Sequence, residues 1–460
     1  MTFQTQPAAG SLREMLIIAL PMVVSHGCET VMIFTDRLFL SQLGSVPMNA
    51  ALVGGLTSYM LMTFFVGLVG YATALVAQYL GALRRTDCAL VVTQAFFICL
   101  TAYPLILATV PLIHWLFALM ESAPVQLRAQ LQYFDLLIYG TLFGLLRTVL
   151  NSFFSGIGRT RVVMLAALVA MTINVGANYA LIFGHLGFPA LGLRGAACGT
   201  ILASLCGLLV LAAVYFSREN RQCYQIRKSL HFDARVMGKL LRYGSPAGGE
   251  MFLNLLAFTL IILIFHGDGL ITATAITLVL NWDLVSFVPL IGIQIAVVSL
   301  VGRYMGAQQP ELATKVTIAG LKMALFYSGL ILLLFVSWPD QLIGIFEPAV
   351  FDPIFTQARP LAVSMLRLAA FYVLADAMMV VFSGALRGAG DTFWTMCLSV
   401  GMHWLLVLVL WGLLKVAGFS ALTAWMALVC FFLVFCGLFY LRYRTGRWKT
   451  LVVVEAEHER

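Results

Sequence analysis

The sequence predicts an all-α integral membrane protein: twelve transmembrane helices arranged as two parallel six-helix repeats that form an N-lobe and a C-lobe. Three observations carry this. First, 61% of the 460 residues are hydrophobic and only 10% are charged, against about 25% charged in an ordinary soluble domain. So few charges cannot cover a water-exposed surface of this size, and lipid must be the solvent for most of the chain. Second, the apolar runs are long and continuous, as in 92–118 and 320–337. A helix needs roughly 20 such residues to cross the hydrocarbon core, and a barrel would instead show alternation in segments of about 10. Third, the two halves of the chain resemble each other.

Breaks in hydrophobicity place the spans near 14–40, 50–79, 88–119, 130–155, 160–184, 192–216, 238–266, 271–301, 312–337, 360–386, 391–415 and 418–441. The longest polar stretch, 217–237, separates six spans from six and is the expected linker between an N-lobe (1–216) and a C-lobe (238–460). The first span opens with LIIALPMVV around Pro21 and the seventh with LLRYGSPAGG around Pro246, 225 residues later. VAQYLGA (76–82) follows the second span, and VGRYMGA (301–307) follows the eighth at the same offset. GIGRT (156–160) and GAGDT (388–392) end the fourth and tenth spans, 232 residues apart. Six is an even number, so both halves insert the same way up, which predicts a cavity between them near mid-membrane.

Lys and Arg concentrate on one side. With the N-terminus inside, the inner segments carry Arg13, Arg84, Arg85, Arg159, Arg161 and the basic residues of the linker, while the outer ends carry few. The expectation is a multi-pass protein of a bacterial inner (plasma) membrane with both termini cytoplasmic. The net charge of +8 is read as a topology signal and not as a nucleic-acid surface. The nine cysteines are scattered without a CxxC pair and read as small core residues.

An ionisable group at bilayer depth costs several kcal/mol, so each one needs a reason. Five carboxylates are read as lying at bilayer depth: Glu29, Asp36, Glu250, Asp283 and Asp376. Asp36 lies about 20 residues into its helix, and Glu29 lies seven residues earlier on the same face, so the two form a polar track inside the first lobe. The alternative for Asp36 is a structural hydrogen bond to Asn174, Asn178 or Tyr179. Glu250 follows Pro246 and Gly248–Gly249, where a bend would free backbone carbonyls. With Asn254 one turn on, and with Asp376 near mid-depth in the tenth helix, it makes an expected second cation site in the C-lobe. Oxygen-only donors of this kind suit Na⁺, which is expected at Asp36 or at Glu250, Asn254 and Asp376. Asp283 is placed in the outer third of its helix and carries less weight. His26 and His403 read as core histidines, and Asp87 and Asp391 as caps at helix ends.

Six segments in order resemble the multidrug and toxic compound extrusion (MATE) family: ALP (Ala19, Leu20, Pro21), DRLFLSQLG (36–44), LVAQYLGA (75–82), NYALIFGHLGFPALGLRGAACGT (178–200), LVGRYMGA (300–307) and GALRGAGDT (384–392). The resemblance implies two six-helix lobes forming a V, and antiport of cationic amphipathic drugs against Na⁺ or H⁺. Asp36 matches the family's first-helix acid and Asp376 its tenth-helix acid. One branch of the family carries an acid in the seventh helix where this chain has Asn254; the nearest acid, Glu250, is one turn earlier. No cofactor and no nucleotide are expected, since no strand-plus-GK[ST] phosphate loop is present. The expected partners are membrane lipid and small cationic substrates, and the expected state is a monomer. A flippase for lipid-linked oligosaccharide is the rival reading, with a respiratory-complex subunit behind it. The excess of buried acids over buried bases favours a cationic substrate.

Overall fold

The computed structural model describes residues 8–119, 124–347 and 351–455. Its described residues form helices and connecting turns, with no strand among them. Twelve helices are long and apolar enough to cross a membrane. These are α1 (Leu12–Gln42), α2 (Val46–Gly81), α3 (Arg85–Leu119), α4 (Pro124–Gly156), α5 (Thr160–Phe183) and α6 (Leu193–Tyr215), followed by α7 (Ala234–His266), α8 (Leu270–Gly306), α9 (Pro310–Ser337), α10 (Pro353–Ala389), α11 (Thr392–Val416) and α12 (Ala421–Arg444). The helices α4 and α10 begin six or seven residues before the apolar runs do, because backbone hydrogen bonding continues past the edge of the hydrocarbon.

Local chemistry sets several ends. Ser11 caps α1 by accepting from the Glu14 amide at 3.2 Å, while Glu14 Oε2 accepts from the Gly10 amide at 2.8 Å, the reciprocal logic of a capping box. Asp233 accepts from the amides of Arg235 and Val236 at the start of α7, both at 2.9 Å. Pro246 lies inside α7 without interrupting it, as Pro21 does in α1.

Helices alternate in direction, so the starts of odd-numbered helices and the ends of even-numbered ones share the side that bears both chain ends. The lobes are joined on that side. One core cluster holds most of the N-lobe together with Val236, Leu240, Val453 and Val454. Another joins Met15, Ile18 and Ala19 of α1 to α8, α9, α10 and α12. The two clusters toward the opposite side are each built from a single lobe. The result is a V whose cleft opens away from the termini.

The seal at the base of the V obeys the 225-residue repeat. A Cβ on Gly67 would fall 2.7 Å from the Ala247 carbonyl oxygen and the Gly248 Cα, and one on Gly292 would fall 2.6 Å from the Val23 nitrogen. A Cβ on Gly81 would collide with the Arg303 carbonyl, and one on Gly306 with that of Gln78. Each contact is the repeat image of another: 67 and 292, 81 and 306, 78 and 303. Small residues let backbones approach where no side chain fits. Polar bonds tie the same region: Ser299 Oγ donates to the Ser155 carbonyl at 2.6 Å, Gln78 Nε2 to the Gly388 carbonyl at 2.8 Å, and Tyr304 hydroxyl to Glu14 at 2.8 Å.

Between α6 and α7 the chain forms a short helix, Arg218–Cys223, and a 3₁₀ turn, Ile226–Ser229. It is strapped to the N-lobe: Gln94 Nε2 donates to the His231 carbonyl at 2.8 Å, Ser229 Oγ to the Thr86 carbonyl at 3.1 Å, and Arg159 to Asn220 at 3.0 Å.

Candidate functional site

Asp36 on α1 is met by two helices of its own lobe. Asn178 Nδ2 on α5 donates to its Oδ1. Thr200 Oγ1 on α6 lies 3.3 Å from Oδ2 and 3.0 Å from the Ala196 carbonyl, so its single hydrogen serves one or the other. Asn174, one turn from Asn178 on α5, also faces the carboxylate. Gly199 makes this possible, because any Cβ there would occupy the space of the Asn178 amide oxygen. The amide oxygens of Asn174 and Asn178 are buried without hydrogen-bond donors. Among the described residues the bonding partners of Asp36 are therefore neutral, with hard oxygens beside it of the type that coordinates an alkali cation. Tyr179 takes no part: it is turned outward and stacks on His185 at 4.6 Å.

Glu29 shares Asp36's face but not its surroundings. Its Oε1 accepts from Arg147 Nη2 on α4 at 3.1 Å, and its Oε2 lies 3.4 Å from His26 Nδ1. Its side chain keeps 39% of its surface accessible and that of Arg147 keeps 19%. The track expected along α1 is thus one ion-paired carboxylate below one neutrally bonded carboxylate, about 10 Å apart at 1.5 Å per residue.

The C-lobe residues expected to share a site each have partners of their own. Glu250 on α7, 2% exposed, pairs with Arg387 Nη2 of α10 at 2.7 Å. Asn254 donates to Ser399 Oγ of α11 at 2.7 Å. Asp376 lies eleven residues before Arg387 on α10, about 16 Å along the helix, and no hydrogen bond or ion pair among the described residues joins it to Glu250 or Asn254. Of the three residues expected to share a cation, Glu250 and Asn254 have other partners, and the Asn254 and Asp376 oxygens Oδ1 are buried without donors. Asp376 is 6% exposed, its Oδ1 has no donor, and the charge acting on it is that of Asp283 on α8. Asp283 Oδ1 in turn accepts from Tyr372 hydroxyl, one turn from Asp376 on α10, at 2.7 Å. Asp283, given less weight on sequence, thus belongs beside Asp376.

The two residues read as caps also differ from expectation. Asp391 stands at the start of α11 without capping it, and is held instead by a two-pronged pair with Arg442 at 2.7 and 3.0 Å. Asp87 accepts from Arg84 Nε at 2.6 Å. His403 fills a core position, its Nδ1 lying 2.8 Å from the Ser399 carbonyl oxygen.

Comparison with known proteins places this geometry. The MatE family model matches residues 21–180 and 246–411, one segment in each half. The chain is 26% identical over 451 residues to the probable multidrug resistance protein NorM of Thermotoga maritima, covering 97% of this chain and 95% of that protein. It is 27% identical over 403 residues to the multidrug resistance protein PmpM of Pseudomonas aeruginosa, covering 85% and 82%. One solved structure described as the outward-facing conformation of a multidrug resistance MATE family transporter superposes with a TM-score of 0.87 at 17% identity, over 98% of this chain and all of that one. A Pyrococcus furiosus transporter described as having a binding pocket of reverse polarity matches with the same TM-score and identity over 97% of this chain. Matched in both halves, along nearly its whole length and in its V-shaped pair of six-helix lobes, the chain belongs to the MatE family of multidrug and toxic compound extrusion transporters.

Proposed function

We propose that this protein is a cation-coupled antiporter that exports organic cations and amphipathic drugs by alternating access, driven by inward flow of H⁺ or Na⁺. One observation carries the reading. Asp36 is held at bilayer depth by an amide and a shared hydroxyl, with no basic side chain among the described residues paired to it. A carboxylate so placed is costly unless a small positive group visits it. Thr200 suits both states of such a group, because its hydroxyl donates to a carboxylate and accepts from a protonated carboxyl. The Asp283–Tyr372–Asp376 centre offers the C-lobe the same arrangement.

Linkage then gives the cycle. A carboxylate that holds H⁺ or Na⁺ no longer favours a cationic drug, so the two ligands exclude each other. One net charge moving inward releases about 2.3 kcal/mol per 100 mV, which supports roughly a fifty-fold gradient of a drug without net charge, whereas one-for-one exchange against a monocation moves no net charge and draws on the concentration gradient of the ion alone. In this reading the protein is a monomer of a bacterial inner membrane with cytoplasmic termini, the lobes comprise residues 1–216 and 238–460, and the V opens outward. The names of the NorM and PmpM relatives support the drug-efflux part of it.

The test is efflux of a fluorescent cation such as ethidium from proteoliposomes, with Na⁺ and pH gradients imposed separately. Asp36→Asn is expected to lower gradient-driven efflux at least ten-fold at equal protein level. Efflux at the wild-type rate in that variant would remove Asp36 from the mechanism.

A further inference from the structure

The exchange proposed at Asp36 and the seal leave the Glu29–Arg147 pair unused, and its setting points to a ligand. The Arg147 stem runs from α4 across the lobe interior: a Cβ on Gly207 of α6 would lie 3.3 Å from its Cδ and 3.3 Å from the Ala170 Cβ of α5. The guanidinium therefore lies inside the N-lobe, among α1, α4, α5 and α6. It has five N–H donors. Among the described residues only Glu29 accepts from it, through Nη2, and its Nε is buried without an acceptor. Glu29 has a second partner in His26 at 3.4 Å, so it remains bonded if Arg147 turns to another anion. The accessible surface kept by Glu29 and Arg147 shows that open space reaches the pair.

The separation from Asp36 is set by two helices independently. Seven residues of α1 divide Glu29 from Asp36, and seven residues of α6 divide Gly207, beside Arg147, from Thr200, beside Asp36. Each gives about 10 Å. A cation-attracting carboxylate and an under-bonded guanidinium thus face one interior at that spacing. A planar guanidinium is matched to a carboxylate.

We propose that the N-lobe interior selects zwitterions, with Asp36 receiving the cationic group of an amphipathic molecule and Arg147 its carboxylate. This rests on the reading of Asp36 as a cation site and adds a determinant of specificity to it.

Rhodamine B, a zwitterion, and its ethyl ester, a plain cation, differ only at the group in question. Fluorescence polarisation with purified protein in nanodiscs gives the ratio of their affinities. Arg147→Gln, made together with Glu29→Gln so that no lone charge is buried, is expected to lower the relative affinity for the zwitterion at least ten-fold. Glu29→Gln alone frees Arg147 and is expected to raise it several-fold, an opposite sign that a merely structural pair does not produce. The same ratio in wild type and both variants overturns the proposal. Asp36→Asn tests the underlying reading separately, since it should weaken binding of both dyes.

Discussion

The two lobes share a backbone plan but not a charge plan. In each, one acid is paired with arginine and another is held by neutral donors: Glu29 with Arg147 and Asp36 with Asn178 in the N-lobe, Glu250 with Arg387 and Asp283 with Tyr372 in the C-lobe. None of these acids is the repeat image of another. At the 225-residue offset Glu29 corresponds to Asn254, and Glu250 to Ser25. The glycine contacts at the seal, by contrast, repeat position for position. The scaffold kept the constraint that two helices must touch, while each lobe met the electrostatic problem with its own residues. The lobes are therefore expected to respond differently to equivalent substitutions.

The largest difference is expected at the arginine pairs. Arg387→Met strands Glu250, 2% exposed, and should cost about 3–5 kcal/mol, read as a lower thermal midpoint in detergent. Adding Glu250→Gln should restore most of it. Arg147→Met leaves Glu29 wetter and still beside His26, and should cost only about 1 kcal/mol. Equal losses at the two sites would erase the contrast. Next come the neutral donors. Tyr372→Phe removes a hydroxyl bonded to Asp283 and should cost about 1.5–3 kcal/mol, whereas Thr200→Val removes a hydrogen already shared with Ala196 and should cost about 0.5–1 kcal/mol. The reverse order would show that Asp36 depends on Thr200 more than the geometry implies. The smallest effect is expected outside the spans. Arg359, bonded to Asp340 at 2.9 and 3.0 Å, holds that carboxyl below the usual aspartate range. Its contribution is present above about pH 4 and fades as the pH falls further. The pair is exposed, so Asp340→Asn should leave the thermal midpoint within experimental scatter at neutral pH.

The spans and the repeat were legible because they are local or periodic. Hydropathy runs mark the twelve helices, and the motif pair VAQYLGA and VGRYMGA already held the four residues that meet at the base of the V. Asn174 and Asn178 were legible as partners of Asp36, because residues four apart on α5 share a face. Tyr179, about 100° further round the helix, faces away. Pairings across the lobe were not legible. Arg147 is 118 residues from Glu29 and looks like any other base in an apolar run, and Arg387 is one charge inside the small-residue motif GALRGAGDT. The partner of Glu250 was not legible either, because helix tilt and depth, which a single sequence does not encode, bring it to Arg387, about three turns along α10 from Asp376. Thr200 carried one faint signal: it closes NYALIFGHLGFPALGLRGAACGT (178–200), the longest of the motifs shared with the family.

The glycine-on-backbone seal bears on how quickly the transporter turns over. In the proposed cycle, closing the open end of the V requires the helices α1, α2, α7 and α8 to part at the end that bears the termini, and side chains interlocked there would have to unthread before water entered. At the glycine contacts the helical ridges are bare and carry no rotamers to release, so opening there costs only the apolar area that the neighbouring core residues expose. The rate at which the gate swings is then governed by the few polar ties beside it, Tyr304 to Glu14 and Ser299 to Ser155, which makes them the natural places to speed or slow the gate without touching either cargo.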